Sequence, residues 1–391
     1  MEDITYDVAI IGGGTMGIAT AYYLAKAQQK VLVIDQYSIP NNFGSHHGET
    51  RILRLGYGNG GIYVPLVKEA LTLWKELEQE TGKTLFNQTG AISVGHPGSD
   101  FVKETIESSL KYNLTHEKLD AKSLMARWPG ILVPDDYIAC YDPHSGFLYS
   151  EECVQTYKEE CIKLGVTILE NQRVEDIQTS EAEVKIVTAD TTLVARKAVV
   201  TAGAWIPKLL PELDLDIEPL RKTFGWFETS EDNFYDSQFP CFVFDTHNVG
   251  HYYGFPDYDG RGLKVGRMDL GEVVDPDEVN RDFFATSDEE VDLRSFLSRF
   301  LPQANGQLNE GKVCLFSMTP DHDFIIDFHP QHSNVVIAGG FSGHGFKFAS
   351  VIGKILTDLA IEGKTDLDIS FLQLNRFSKE SSTNEHLYKL N

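Results

Sequence analysis

The stretch TYDVAIIGGGTMGIATAYYLAKAQQKVLVID, Thr5–Asp35, decides the fold. Thr5–Ile11 is an apolar run of strand length, Gly12–Gly17 (GGGTMG) is a turn, Ile18–Ala27 is a helix rich in Ala, Leu and Tyr, and Val31–Ile34 is a second apolar strand ending at Asp35. Strand, tight turn, helix and strand in succession make a βαβ unit. Within it Gly12, Gly14 and Gly17 stand in the spacing G-x-G-x-x-G. The first glycine permits the turn, the second lets backbone approach a pyrophosphate, and the third lets helix pack on strand. The helix start then presents its N–H groups and positive dipole end to the phosphates. Asp35 falls where a carboxylate accepts from ribose hydroxyls. A decorative turn is the competing reading, and the flanking strands weigh against it. The unit predicts a dinucleotide site without separating NAD from FAD; the acid argues only against a free 2′-phosphate.

The rest of the chain sets bounds around that unit. At 391 residues it exceeds what one hydrophobic core comfortably spans, so two domains are expected. Hydrophobic residues make up 42% and charged residues 24%, the balance of a soluble globular protein. There are 34 basic and 58 acidic residues, a formal charge of −24 that repels phosphate backbones and anionic lipid; no basic patch offsets it, so neither nucleic-acid nor membrane binding is expected. No apolar run has the length of a membrane helix, and the acidic opening running straight into a strand predicts no secretory signal. The five cysteines, Cys140, Cys153, Cys161, Cys241 and Cys314, show no CxxC or paired Cys/His spacing, so a cytoplasmic protein with free thiols and no metal site is expected.

Three further segments carry chemistry. Phe43–Arg54 (FGSHHGETRILR) gathers two histidines and two arginines with little apolar content. It reads either as a solvated loop or, if helical, as a face on which Arg51 and Arg54 clamp one anion. Lys312–Asp327 (KVCLFSMTPDHDFIID) puts Cys314 in an apolar, strand-like setting, where a thiol is ordinarily inert packing. Gly339–Ser350 (GGFSGHGFKFAS) is a glycine-rich turn entering a helix, suited to a second anionic group. Its Lys347 would otherwise snorkel at the surface. Cys241–Val265 alternates strongly and reads as a curved antiparallel sheet, Val335–Gly340 as a buried strand returning to the first fold, and Glu228–Gln238 and Gly271–Glu290 as seams. Trp205, in TAGAW, reads as a cap on a strand–helix turn.

Taken together, SHHGETRILR, DFIID, SGHGFKFAS with the upstream VCLF, KLDAKSLMARWPGI and YYGFP resemble the monomeric sarcosine oxidase and N-methyl-L-tryptophan oxidase family over nearly the whole chain. The resemblance implies an α/β fold: a doubly wound Rossmann-type FAD-binding domain (1–84, 147–218 and 320–391) and a smaller α+β substrate domain on an antiparallel sheet (85–146 and 219–319). It implies FAD attached through its 8α-methyl to Cys314. Arg54 and Lys347 are expected at the substrate carboxylate, Arg51 and Lys264 as catalytic groups beside the flavin with Lys264 at the oxygen site, and Tyr253 in the substrate cavity. Gly12, Gly14, Gly17, Asp35, Ser45, His46, Arg51, Gly343, His344, Gly345 and Lys347 are expected at the cofactor.

The implied reaction is oxidation of an N-methyl or cyclic secondary α-amino acid to an imine, hydrolysed to formaldehyde and amino acid, with oxygen going to hydrogen peroxide. The partners implied are substrate and oxygen, and the protein is expected to be a monomer. Two positions depart from the family pattern. Met268 stands where a histidine is usual, and Phe316 where sarcosine oxidases tend to carry tyrosine; both make the cavity more apolar and point to a substrate larger than sarcosine. A dehydrogenase with another acceptor, an oxidase for pipecolate, proline or a fructosyl amino acid, and a flavin-binding protein without turnover are the alternatives.

Overall fold

The computed structural model describes residues 6–377 apart from 231–233, 236 and 285–287. Thr5 and parts of the two expected seams, Glu228–Gln238 and Gly271–Glu290, lie outside the described residues.

The opening unit is built as its pattern predicts. Tyr6–Ile11 lies between Val31–Ile34 and Thr192–Val200, all parallel. Thr167–Leu169 extends the sheet on one side and His332–Gly339, the expected returning strand, on the other. An antiparallel ribbon (Val174–Thr179, Val184–Thr188) and Ile325–His329 complete eight strands. Central strands of a parallel sheet are covered on both faces, which is why they read as unbroken apolar runs. One face is covered by the helices Thr15–Lys26, Ser150–Lys163 and Ala349–Glu362. The other packs Ala9, Ile11, Leu32, Ile34 and Val200 against Ile206, Leu210 and Ile217.

A second sheet of nine strands holds the aromatic middle of the chain. Its centre runs Glu218–Phe227, Leu263–Arg267, Gly250–Phe255, Cys241–Thr246, Ala91–Gly95, with Leu308–Met318 on the far side of Glu218–Phe227. The three strands within Cys241–Val265 and its continuation pair antiparallel, as their alternation predicts. Alternation also divides the faces. Phe242, Phe244, Tyr252, Leu263 and Val265 pack on the helix Asp288–Phe300, with Tyr252 stacked on Phe296 at 4.5 Å. The opposite face carries Val243, Tyr253, Phe255, Lys264, Lys222, Cys314 and Phe316, residues brought abreast by register.

A small third sheet sits between these two: Thr50–Leu53 and Phe86–Asn87 flank Gly146–Tyr149. Arg51 is therefore on a strand, with Arg54 just beyond its end. The helical alternative, in which the two arginines share a face, is overturned: the partner strand Gly146–Tyr149 captures the segment, and side chains three apart then diverge.

Candidate active site

A continuous cavity of about 470 Å³ runs from the glycine turn to the inner face of the second sheet. At one end Gly12 has φ +97°, and a Cβ there would lie 2.7 Å from Ala202 Cα. A Cβ on Gly17 would lie 2.0 Å from Gly12 O, so this glycine serves helix–strand packing. Gly14 differs: a Cβ there would meet no protein atom within 4 Å and would project into a space the fold leaves open. Asp35 is buried, its carboxylate accepting from Gly13 N (2.8 Å) and Tyr37 N (2.8 Å). Burial outweighs those two bonds and lifts its pKa to about 6. Each oxygen keeps a free lone pair for a ligand.

The turn preceding Arg51 is clamped from both sides. Gly48 (φ +111°) and Glu49 (φ +72°) are left-handed. Their N–H groups donate to the Glu151 carboxylate at 2.8 and 2.7 Å. The Gly48 carbonyl accepts from Lys264 Nζ, which also bonds Thr50 Oγ1 at 3.0 Å. The Arg51 guanidinium is spent on the carbonyls of Thr50, Ser45 and His47. Glu49 itself is ion-paired with Arg261 and Lys312, and those bonds overcome its partial burial and hold its pKa at about 2. His46 is buried with Nε2 accepting from Asn41 N at 3.2 Å; burial, reinforced by Arg51 and His47, draws its pKa down to about 4, so it is neutral at pH 7.

On the sheet face, Lys264 is 1% exposed and sits among the Phe224, Trp226 and Phe255 rings at 4.5–5.2 Å. Burial and the nearby Arg51 push its pKa well below the usual lysine value. Cys314 is also 1% exposed; burial raises its thiol pKa, while Arg51, Lys264, Lys222 and Arg281 all act to lower it. Met268 donates its N–H to His251 O (2.7 Å) and packs with Phe101, Val243 and Tyr253.

At the far end lie two buried cations with no carboxylate partner among the described residues. Arg54, 5% exposed, donates to Asn59 Oδ1 at 2.6 Å and stacks near Phe101 (4.8 Å) and Tyr57 (5.2 Å), leaving its Nε unpartnered. Lys347, also 5% exposed, donates to His344 O at 2.7 Å, and burial together with Arg54 pushes its pKa well down. It is not a snorkelling surface lysine. His344 is wedged between Tyr57 OH (2.5 Å) and His322 O (3.0 Å).

The structure brings Gly12, Gly14, Asp35, Ser45, His46, Arg51, Arg54, Tyr253, Met268, Gly343, His344, Gly345 and Lys347 to the wall of this one cavity. Gly17, Lys264 and Cys314 do not form part of that wall. Among the lining residues Thr15 Oγ1, Arg54 Nε and Ser317 Oγ are buried polar atoms with no partner, distributed along it. An unpaired buried donor or acceptor costs about 1–3 kcal/mol, and three on one cavity mark a surface shaped for a polar ligand. Three residues escaped the sequence reading. Glu151 looks like an ordinary acid in a helix's first turn, Asn59 like part of a glycine turn, and Lys222 like the polar half of strand alternation; only the register of Glu218–Phe227 against Leu308–Met318 could have placed Lys222 opposite Cys314.

The profile of the family described as FAD dependent oxidoreductase matches residues 7–359. The chain is 47% identical over 375 residues to a monomeric sarcosine oxidase of Bacillus sp. (strain NS-129), covering 95% of this chain and 97% of that one. It is 38% identical over 374 residues to an N-methyl-L-tryptophan oxidase of Salmonella agona (strain SL483), covering 96% and 100%. Among solved structures, the amino acid oxidase NikD superposes with a TM-score of 0.84 at 24% identity, over 95% of this chain and 98% of that one, a likeness of fold.

Proposed function

Since the chain belongs to the FAD-dependent oxidoreductases, and within them to the family of the monomeric sarcosine and N-methyl-L-tryptophan oxidases, we propose that it oxidises a secondary α-amino acid with a large apolar side chain. The observation that carries this reading is the pair Arg54 and Lys347, two buried basic side chains without a carboxylate partner among the described residues, at the end of a cavity whose other walls there are Met268, Phe316, Val243 and Tyr253. A carboxylate supplies the missing charge, and the apolar walls receive the side chain. The residues present fit FAD: the open space at Gly14, the orphaned Thr15 hydroxyl at the helix start and the free lone pairs of Asp35 suit its pyrophosphate and ribose. Gly343, His344 and Gly345 offer a polar edge for its ring system. FAD, when bound, supplies the two-electron acceptor that amino-acid side chains lack. In this reading the FAD-binding domain comprises 1–84, 147–218 and 320–391 and the substrate domain 85–146 and 219–319, with the cavity between them.

The chain's own groups bind, orient and adjust protonation. Arg54 and Lys347 grip the carboxylate and fix the N-methyl or ring C–H at one distance from the acceptor. Their charge, with that of Arg51, disfavours a protonated substrate amine, so the amine is held neutral with its lone pair available. Met268 and Phe316 keep water from the reacting carbon. The product imine hydrolyses to formaldehyde and the primary amino acid when the substrate is N-methylated. Lys264, whose amine sits in a dry aromatic cage, is the group suited, when protonated, to stabilising negative charge on oxygen as it is reduced to peroxide. Cys314 is the proposed covalent anchor. In this reading the protein is a cytoplasmic monomer, and its charge of −24 disfavours nucleic-acid and anionic-membrane partners. Among the described residues no helix is long and apolar enough to cross a membrane.

The test is oxygen uptake with peroxide and formaldehyde assayed together, over sarcosine, N-methyl-L-tryptophan, L-proline and L-pipecolate. N-methyl-L-tryptophan or another bulky substrate should show the highest kcat/KM. A clear preference for sarcosine refutes the apolar-pocket reading, and turnover with a dye but not with oxygen refutes the oxidase. A second expected outcome concerns the cofactor end. Gly14 has φ −62°, which any residue adopts, so Gly14→Val should fold with near-normal thermal stability. Its side chain enters the ligand's space, and overpacking of about 1–3 kcal/mol predicts flavin binding weaker by roughly 5- to 150-fold. Flavin titration in the Cys314→Ser background, where no bond holds the cofactor, measures it; unchanged affinity there would remove this turn from the cofactor site.

A further inference from the structure

Lys222 is a buried cation that takes no part in gripping the substrate carboxylate. It is 3% exposed, on Glu218–Phe227, directly opposite Cys314. Its Nζ donates to Met268 O (2.7 Å) and to Leu270 O. It stands 5.1 Å over the Phe316 ring. No carboxylate bonds it among the described residues; Asp269, the nearest in sequence to its partners, is taken by Arg267 at 2.7 Å. Burying an ammonium is costly, and here the return is two backbone carbonyls of one short turn and one ring. Both belong to walls of the substrate half of the cavity: Met268 and Phe316 line it, while Lys222 stands behind them. The turn closes tightly on the lysine, since a Cβ on Gly271 would lie 3.0 Å from Lys222 Cδ. The ammonium form persists at neutral pH, because burial lowers its pKa only to about 8.

We infer that Lys222 is a positioning residue that sets substrate selectivity, by fixing the Met268–Leu270 turn and the Phe316 ring as the apolar walls that receive the substrate side chain. Without it the turn has no side-chain tether on that side, and the Met268 wall recedes. The carboxylate end, held by Arg54 and Lys347, is untouched. Lys222 therefore acts on the part of a ligand that reaches the walls and not on the part that reaches the cations. The inference rests on the carboxylate-and-side-chain reading of the cavity given above.

The test uses the flavin-loaded protein and two carboxylates that lack an oxidisable amine, acetate and indole-3-acetate. Their dissociation constants are read from perturbation of the visible flavin spectrum, so turnover plays no part. Lys222→Met should weaken indole-3-acetate about tenfold, the low end of what an apolar pocket contact discriminates, and acetate by less than about twofold. Lys222→Arg, which keeps a donor to the turn, should recover part of the difference. Gly271→Ala displaces the lysine stem without removing the charge and should shift the ratio in the same direction, which serves if Lys222→Met does not accumulate folded. An unchanged ratio in these variants overturns the inference, and so does an equal weakening of both ligands. Failure of the unaltered protein to respond to either carboxylate would instead overturn the carboxylate site, and this inference with it.

Discussion

Replacing Cys314 with serine should move the yellow colour from the pellet to the supernatant on acid precipitation. The unaltered protein should keep essentially all of its flavin in the pellet, and the variant essentially none. The physical argument is that a thioether needs a thiolate at the moment it forms. Cys314 is buried, which disfavours the thiolate, yet Arg51, Lys264, Lys222 and Arg281 all favour it. The other cysteines differ: burial pushes Cys140 and Cys241 up to about 12, and no comparable set of cations opposes it. Cys241→Ser should leave the flavin in the pellet and serves as the control. Flavin released from the unaltered protein would refute covalent attachment and leave the FAD site standing.

The second large effect lies at the opposite end of the cavity. Arg54→Met should lower kcat/KM by roughly 30- to several-thousand-fold, the equivalent of about 2–5 kcal/mol for truncating one partner of a buried charged pair. Arg54→Lys should recover little, because the fork geometry that pairs two oxygens is lost. Lys347→Met should cost a comparable amount and should also change a pH profile. The pKa of Lys347 in the ligand-free protein is depressed by burial and by Arg54. A bound carboxylate favours the protonated lysine, so binding takes up a proton and affinity falls as pH rises through that depressed pKa. Titrating acetate against the flavin spectrum at several pH values should show this slope, and Lys347→Met should flatten it. A slope that survives in the variant would assign the proton elsewhere.

How much of this was legible beforehand differs by element. The βαβ unit could be read residue by residue, because each of its glycines answers a separate local demand. Gly17 is forced by a helix crossing a carbonyl, while a side chain at Gly14 would project into a space the fold leaves open. The sheet around Cys241–Val265 was legible through alternation, since one face meets the helix Asp288–Phe300 and the other the cavity. The conformation of Phe43–Arg54 was not. Two arginines three apart look the same in a helix and in a strand, and the outcome was decided by Gly146–Tyr149, remote in sequence. Glu151 and Lys222 were hidden for the same reason. Each looks locally ordinary and acts on a turn that only the tertiary fold brings to it.

The parallel sheet takes its strands from stretches scattered along the chain, which has a consequence for synthesis. Tyr6–Ile11 and Val31–Ile34 are synthesised before their neighbour Thr192–Val200, and the helix Ala349–Glu362 that rests on Thr15–Lys26 follows later still. At translation rates of about 5–20 residues per second the first apolar strands wait roughly 8–30 s for the strand beside them. During that wait the apolar edge of these two strands is uncovered, and a chaperone has a surface to hold. A message truncated before the closing helix should yield an insoluble product, not a smaller nucleotide-binding protein.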